Sequence, residues 1–171
     1  LHLGHMEYLL AGKSRCNFLF IGITHCDVDG LTLPVDHRNQ AVANPFTYYE
    51  RMFMVRLALR EAGIPLSEFA IIPFPIETPE KIKLYAPPSA RYFLTIYDNW
   101  GRQKLALLRS LGLETEVMWE RDNASRLASG TEVRRRITQG EEWRHLVPPA
   151  VYQYIIENGL DQRIRCHNQA I

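Results

Sequence analysis

With 171 residues, 46% of them hydrophobic and 23% charged, the chain has the size and make-up of one compact domain, expected over residues 1–160 with a tail at 161–171. Its 20 basic and 19 acidic side chains leave a formal charge of +1, which gives no reason to expect nucleic acid as a partner, so any phosphate ligand must be met by a local cluster. The three cysteines, Cys16, Cys26 and Cys166, are odd in number and lack paired metal-ligand spacing; they read as reduced thiols of a cytoplasmic protein, and no apolar run suggests a membrane span.

The chain opens without Met on Leu1-His2-Leu3-Gly4-His5, inside what reads as a functional loop, and a preceding segment is expected. His2 and His5 are three residues apart, so a helix beginning near Gly4 lets both rings face one pocket. Helix-start amides carry partial positive charge, imidazole N–H groups add donors, and glycine lacks the Cβ that would hold a nucleotide away. An ordinary chain start with two solvated histidines is the other reading of the same five residues. Met6, Leu9 and Leu10 predict a helix to about Lys13, with Gly12 as its stop. Residues 17–24 (NFLFIGIT) read as a strand buried on both faces, which favours a parallel sheet covered by helices.

Residues 25–44 carry Asp27, Asp29, Gly30, Pro34, Asp36, His37, Arg38 and Asn39, a polar segment too long for a simple connector. It is either a functional loop that closes over a ligand or a solvated insertion. Cys26 stands between His25 and Asp27, but adjacency in sequence does not create the geometry of a metal or nucleophile site. Asn44-Pro45-Phe46-Thr47 leads into a helix to about Ala62, with Thr47 and Glu50 as a capping box and Gly63 as the stop. Phe53, Val55 and residues 57–59 are its expected buried face. Arg51 in its first turn opposes the helix dipole, and is either solvated or offset by an anion.

Residues 69–74 (FAIIPF) predict a strand closed by Pro75, and residues 76–90, with Glu77, Glu80, Lys81, Lys83 and Tyr85, an irregular substrate-side loop with one helical turn at most. Residues 92–97 (YFLTIY) predict a third strand, Asp98-Asn99-Trp100-Gly101 a turn, residues 102–111 a helix stopped by Gly112, and residues 114–119 a fourth strand. This alternation argues a doubly wound α/β domain. Polar residues 120–128 follow, and then Ser129-Gly130-Thr131-Glu132-Val133-Arg134-Arg135-Arg136-Ile137 opens a helix capped by Ser129 or Thr131. Consecutive arginines point about 100° apart around a helix, so they cannot serve one ligand together. Arg134 is best placed to reach a phosphate at the helix start, while Arg135 and Arg136 read as solvated. Trp143, Leu146 and Val147 lead to Pro148-Pro149 and a short helix over 150–156, ended by Gly159. The tail after Asp161 shows little apolar periodicity and is expected to be partly disordered.

His2-Leu3-Gly4-His5, Asn44-Pro45-Phe46-Thr47 with Glu50-Arg51, and Ser129-Gly130-Thr131 with Arg134 stand in the order, and near the spacing, of one known group. Over nearly all its length the chain resembles the HxGH-type nucleotidyltransferases of the cytidylyltransferase-like superfamily, and it looks most like the archaeal-type nicotinamide mononucleotide adenylyltransferases. The resemblance implies a Rossmann-like doubly wound parallel sheet whose first strand is missing from the given chain. It implies His2, His5 and Arg134 as catalytic phosphate ligands, with Leu3, Gly4, Arg51, Ser129, Gly130 and Thr131 binding the nucleotide and Mg²⁺ arriving with the triphosphate. The implied reaction moves a nucleoside monophosphate from ATP or CTP to a small phosphate- or phosphonate-bearing acceptor and releases pyrophosphate.

The chain departs from that family in two places. A Gly-Arg-Phe-type segment before the HxGH box is absent, so its phosphate-binding arginine has no counterpart. The nicotinamide enzymes carry an Asn and, three residues later, a Trp that recognise the nicotinamide ring, and alignment puts Glu80 and Lys83 there. A carboxylate and an ammonium cannot stack on a pyridinium ring as an indole does. Glu80, Lys83 or Lys81, and Trp100 as a replacement indole, are therefore the expected acceptor-binding residues, and a changed acceptor is favoured over nicotinamide mononucleotide. Related domains in phosphonate biosynthesis attach CMP, which allows CTP as donor. Nicotinamide mononucleotide adenylyl transfer is the alternative, a nucleotide-binding sensor without turnover is the reading from another class, and a hydrolase on the same fold ranks last. The expected partners are the nucleotide and the acceptor, without nucleic acid or membrane, and a homo-oligomer is left open.

Overall fold

The computed structural model describes residues 1–26 and 44–169, with side chains through Cys166. Most of the polar segment at 25–44, including His37 and Arg38, lies outside the described residues. In chain order the elements are α1 (Leu3–Lys13), β1 (Leu19–Ile23), α2 (Tyr48–Glu61), β2 (Phe69–Pro73), α3 (Ile82–Tyr85), β3 (Tyr92–Ile96), α4 (Asn99–Ser110), β4 (Thr115–Glu120), α5 (Gly130–Gln139), α6 (Pro149–Glu157) and α7 (Leu160–Gln169). β1 pairs in parallel with β2, Ile21 opposite Ile71, and β3 pairs in parallel with β4, Leu94 opposite Val117. Parallel neighbours need a crossover, and α2 and α4 supply it.

One continuous sheet is the sequence expectation; two parallel pairs are observed. β1 and β3 are not hydrogen-bonded to each other, and both contribute to the walls of a cleft of about 1550 Å³. β1 alternates buried and exposed residues instead of being buried on both faces, with Phe18 and Phe20 each 43% exposed. Its other face, Leu19, Ile21 and Ile23, packs with Met54, Val55, Ala58 and Leu59 of α2, and Ile137, Val151, Ile155 and Ile164 complete that cluster. Leu94 of β3, Leu108 of α4, Leu113, Ile76 and Ile82 form a second cluster.

Local chemistry sets the helix ends. Thr47 Oγ1 accepts from the Glu50 amide at 3.2 Å, and Glu50 Oε2 accepts from the Thr47 amide at 2.8 Å, the expected capping box. Asp98 Oδ1 accepts from the Gly101 amide at 3.0 Å, so α4 starts three residues before the expected Arg102. Gly12 does not stop α1: it is buried within the helix, beside Phe93 and Leu19. The described part of the tail forms α7, which runs to Gln169. Its apolar stripe is only Leu160 and Ile164, both buried, and Arg163 is salt-bridged to Glu50 at the start of α2.

Because Ile164 is 2% exposed, Ile164→Ala is expected to lower the unfolding free energy in urea by about 2–5 kcal/mol. Gln162→Ala on the exposed face of α7 is expected to stay within about 0.5 kcal/mol of wild type. A small effect of Ile164→Ala would mean that α7 is not part of the cooperative unit.

Candidate active site

α1 and α5 begin side by side. His2 caps α1 in extended backbone, and its carbonyl accepts from the His5 and Met6 amides at 2.9 and 3.1 Å. Its ring is 9% exposed and stacks on the His5 ring, centroids 3.9 Å apart at 24°. A Cβ on Gly4 would stand 2.8 Å from the Ala128 carbonyl oxygen and 3.2 Å from the His2 ring. A Cβ on Gly130 would stand 3.1 Å from the Arg134 guanidinium and 3.9 Å from His2 Cδ2. The glycines are thus where the two helix starts close around one imidazole. Of the two candidate caps of α5, Ser129 fills the role, its Oγ accepting from the Glu132 amide at 3.1 Å. Thr131 Oγ1 instead accepts from Arg134 Nη2 at 3.4 Å.

The site is rich in positive charge. Burial, then neighbouring cations including Arg126 and Arg134, push the His2 imidazole down to about 3. His5 is also held well below its ordinary value, by burial and then by His2 and the charges of Arg126 and Lys104. Its ring has surface open to the cleft even though protein atoms surround it. Burial lowers the guanidinium of Arg134, and that of Arg51 as well. Among the described residues no carboxylate forms a salt bridge with Arg134 or Arg51, and His2 Nδ1 is buried without a hydrogen-bond partner. Half-buried guanidinium groups without carboxylate salt bridges, gathered with two imidazoles at two helix starts, suit an anion.

Arg51 is not simply solvated. Its Nη1 and Nη2 donate to the Thr24 and His25 carbonyls at 2.7 and 2.6 Å, so it anchors the end of β1 while lining the cleft. His25 there adopts φ 53°, a left-handed conformation costly for a side-chain-bearing residue, and its Nε2 lies 3.2 Å from the buried Glu77 carboxylate. Arg135 and Arg136 are not merely solvated. Arg135 pairs with Glu132 and Glu141, and Arg136 pairs with Glu132 and donates to the Glu142 carbonyl.

Leu1, His2, His5, Arg51, Ser129, Gly130, Thr131 and Arg134 all line the one cleft. Leu3 and Gly4 form the first turn of α1 beside it. Glu80, Lys83 and Trp100 do not line it: Glu80 and Lys83 are exposed around α3, and Trp100 is half-buried in the first turn of α4. Sequence reasoning missed Arg126 and Lys104, which line the cleft. The available signal was Arg126's place three residues before the Ser129 cap, where loop and helix start share one pocket. Among the described residues no group of three or more His, Cys, Asp or Glu side chains is placed to hold a metal ion, and no helix is long and apolar enough to cross a membrane.

Gly4→Ala drives a methyl into backbone at 2.8 Å, and is expected to cost stability by about 1–3 kcal/mol and to weaken anion binding in calorimetry. A pH prediction follows from His2. Above its ordinary value of 6.5 the ring is neutral in both native and unfolded chains, and its contribution to stability is complete. As pH falls through 6.5 the unfolded chain gains a proton that the native site refuses down to about 3. Stability should then fall by up to about 1.4 kcal/mol per pH unit from this residue. Urea unfolding between pH 7 and pH 5 should show a flatter dependence for His2→Asn than for wild type; equal slopes would mean that native His2 takes up the proton.

No protein-family model matches the sequence. The chain is 50% identical over 169 residues to a phosphonoformate cytidylyltransferase of Streptomyces viridochromogenes, covering 96% of this chain and 90% of that protein. It is 36% identical over 150 residues to a nicotinamide-nucleotide adenylyltransferase of Pyrobaculum neutrophilum, covering 81% of this chain and 79% of that protein. Among solved structures, a bifunctional NMN adenylyltransferase/ADP ribose pyrophosphatase from Francisella tularensis matches 99% of this chain with a TM-score of 0.66 at 14% identity. The chain spans 50% of that protein, and at this identity the likeness shows the fold, which is Rossmann-like α/β. The convergent anion site and these relatives agree: the chain is a nucleotidyltransferase and belongs to the family that includes the phosphonoformate cytidylyltransferase and the archaeal nicotinamide-nucleotide adenylyltransferases.

Proposed function

We propose that the protein transfers a cytidylyl group from CTP to a small phosphonate acceptor and releases pyrophosphate. The observation that carries nucleotidyl transfer is the convergence of two helix starts on the buried His2 ring, beside half-buried Arg134, which has no carboxylate salt bridge among the described residues. The choice of CTP and a phosphonate is supported by the relative at 50% identity. Adenylyl transfer to nicotinamide mononucleotide is the second reading, favoured by the relatives at 36% and 31% identity.

The chemistry follows from charge and position. An acceptor oxygen, already anionic near neutral pH, forms a bond to the α-phosphorus in line, while the bond from that phosphorus to the β-phosphate oxygen breaks and pyrophosphate leaves with the electron pair. No general base is needed. His2 and His5, neutral by virtue of burial and cationic neighbours, present N–H donors to the phosphates, and Arg134 with the α5 amides holds the β- and γ-phosphates. The donor set is one for anions, so Mg²⁺ comes with the triphosphate as its counter-ion, and the residues named here bind phosphate rather than metal. Cys16, Cys26 and Cys166 are not joined in disulfides, which suits the reducing cytoplasm.

Pyrophosphate release is measured with Mg²⁺, ATP or CTP, and phosphonate and nicotinamide mononucleotide acceptors. The expected optimum is CTP with a phosphonate that also carries a carboxylate. Tight triphosphate binding without release for any pair would make the protein a sensor, and release without acceptor a hydrolase. His5→Ala should lower turnover by orders of magnitude with little loss of stability. Arg134→Ala should lower kcat/KM by about 10²-fold, as loss of one preorganised donor does. Arg136→Ala should stay near wild type because its partners are Glu132 and the Glu142 carbonyl. Equal losses at the two arginines would rule out the assigned helix register.

A further inference from the structure

Arg126 lies outside the motifs that mark the phosphate site, yet it lines the same cleft as His2, His5 and Arg134. It follows the short 3-10 turn Asn123–Ser125 and stands three residues before the Ser129 cap of α5. Its guanidinium carbon is 4.4 Å from the centroid of the Tyr97 ring, and its Nη2 is 3.7 Å from Asp98 Oδ2. The other Asp98 oxygen is occupied in capping α4 through the Gly101 amide. Good charged hydrogen bonds run to about 2.7–2.9 Å, so the contact to Asp98 is a loose one. A third of the Arg126 side chain is exposed, which weakens it further. Stacking on Tyr97 occupies the face of the guanidinium and leaves its edge N–H donors to a second partner. Its charge also acts on both stacked imidazoles.

Arg134 and Arg126 therefore differ in kind. Arg134 is half-buried and forms no carboxylate salt bridge among the described residues, whereas Arg126 rests beside a carboxylate that it holds weakly. We propose that Arg126 is a ligand of the leaving pyrophosphate: it exchanges Asp98 for the β- and γ-phosphates while keeping its face on Tyr97, and Asp98 draws it back as pyrophosphate departs. A triphosphate outbids a single carboxylate for one guanidinium, and a carboxylate kept within reach keeps that grip from becoming permanent. The proposal rests on the nucleotidyl-transfer reading of the site.

The test is calorimetric binding of Mg²⁺ tripolyphosphate and pyrophosphate to the full chain, wild type and Arg126→Ala, Arg126→Lys, Asp98→Asn and the Arg126→Ala/Asp98→Asn pair, each checked by thermal melting. Arg126→Ala is expected to weaken both ligands tenfold or more, and Arg126→Lys to restore part of the loss. Asp98→Asn retains the cap on α4 and is expected to tighten pyrophosphate several-fold, and that gain should vanish when Arg126 is also alanine. Affinities within twofold for wild type and Arg126→Ala would overturn the assignment. A gain from Asp98→Asn that persists without Arg126 would overturn the exchange. Should wild type bind neither ligand, the assignment and the transferase reading both fall. Binding through Arg126 in a protein that releases no pyrophosphate from any nucleotide and acceptor would remove the transferase reading alone.

Discussion

The start of α1 meets the start of α5 across the imidazole of His2, so closely that Gly4 has no room for a side chain beside the Ala128 carbonyl. Everything about the cleft follows from that contact. It brings two sets of helix-start amides together, stacks His5 on His2, and sets Arg134 beside Gly130. It also concentrates positive charge where water is scarce, which by itself opposes folding. A protein that keeps such an arrangement carries an electrostatic cost that a bound polyanion relieves, and ligand binding then adds to native stability. Phosphate recognition and the lowered imidazole affinities for protons are two consequences of one geometry.

The first turn of α2 ties that geometry to the rest of the fold. Glu50 completes the capping box with Thr47 and also receives Arg163 of α7, while its neighbour Arg51 grips the carbonyls of Thr24 and His25 at the end of β1. Adjacent residues on one helical turn thus connect the last described helix to the rim of the cleft. A cation at a helix start is unfavourable towards the helix dipole. Here two carbonyl oxygens offset it, and the price is a β1 end held in the left-handed conformation at His25.

What was legible in the sequence was mainly what is decided within a few residues. The Thr47–Glu50 box, the Ser129 cap and the separation of Arg134 from Arg135 and Arg136 are properties of one helical turn, and all three stand in the structure. What depended on distant partners was not legible. β1 looked buried on both faces because its composition carries no record of the cleft beside Phe18 and Phe20. α7 looked disordered because two apolar residues sufficed once α5 and α6 were there to receive them. Glu80 and Lys83 were placed by alignment in a loop whose path the alignment does not fix, and they fall outside the cleft wall. Arg126 gained its setting from Tyr97 and Asp98, remote in the chain, and the local sequence shows only its place three residues before the Ser129 cap.

Neutral imidazoles in such a site have a consequence for turnover. A charge-assisted hydrogen bond is roughly twice as strong as a neutral one, so a permanently protonated His2–His5 pair would hold pyrophosphate about as firmly as it held the triphosphate. Burial and the surrounding cations favour neutral rings. An arriving polyanion opposes those cations and raises the rings' affinity for a proton, so the donors strengthen while charge is present and weaken as it departs.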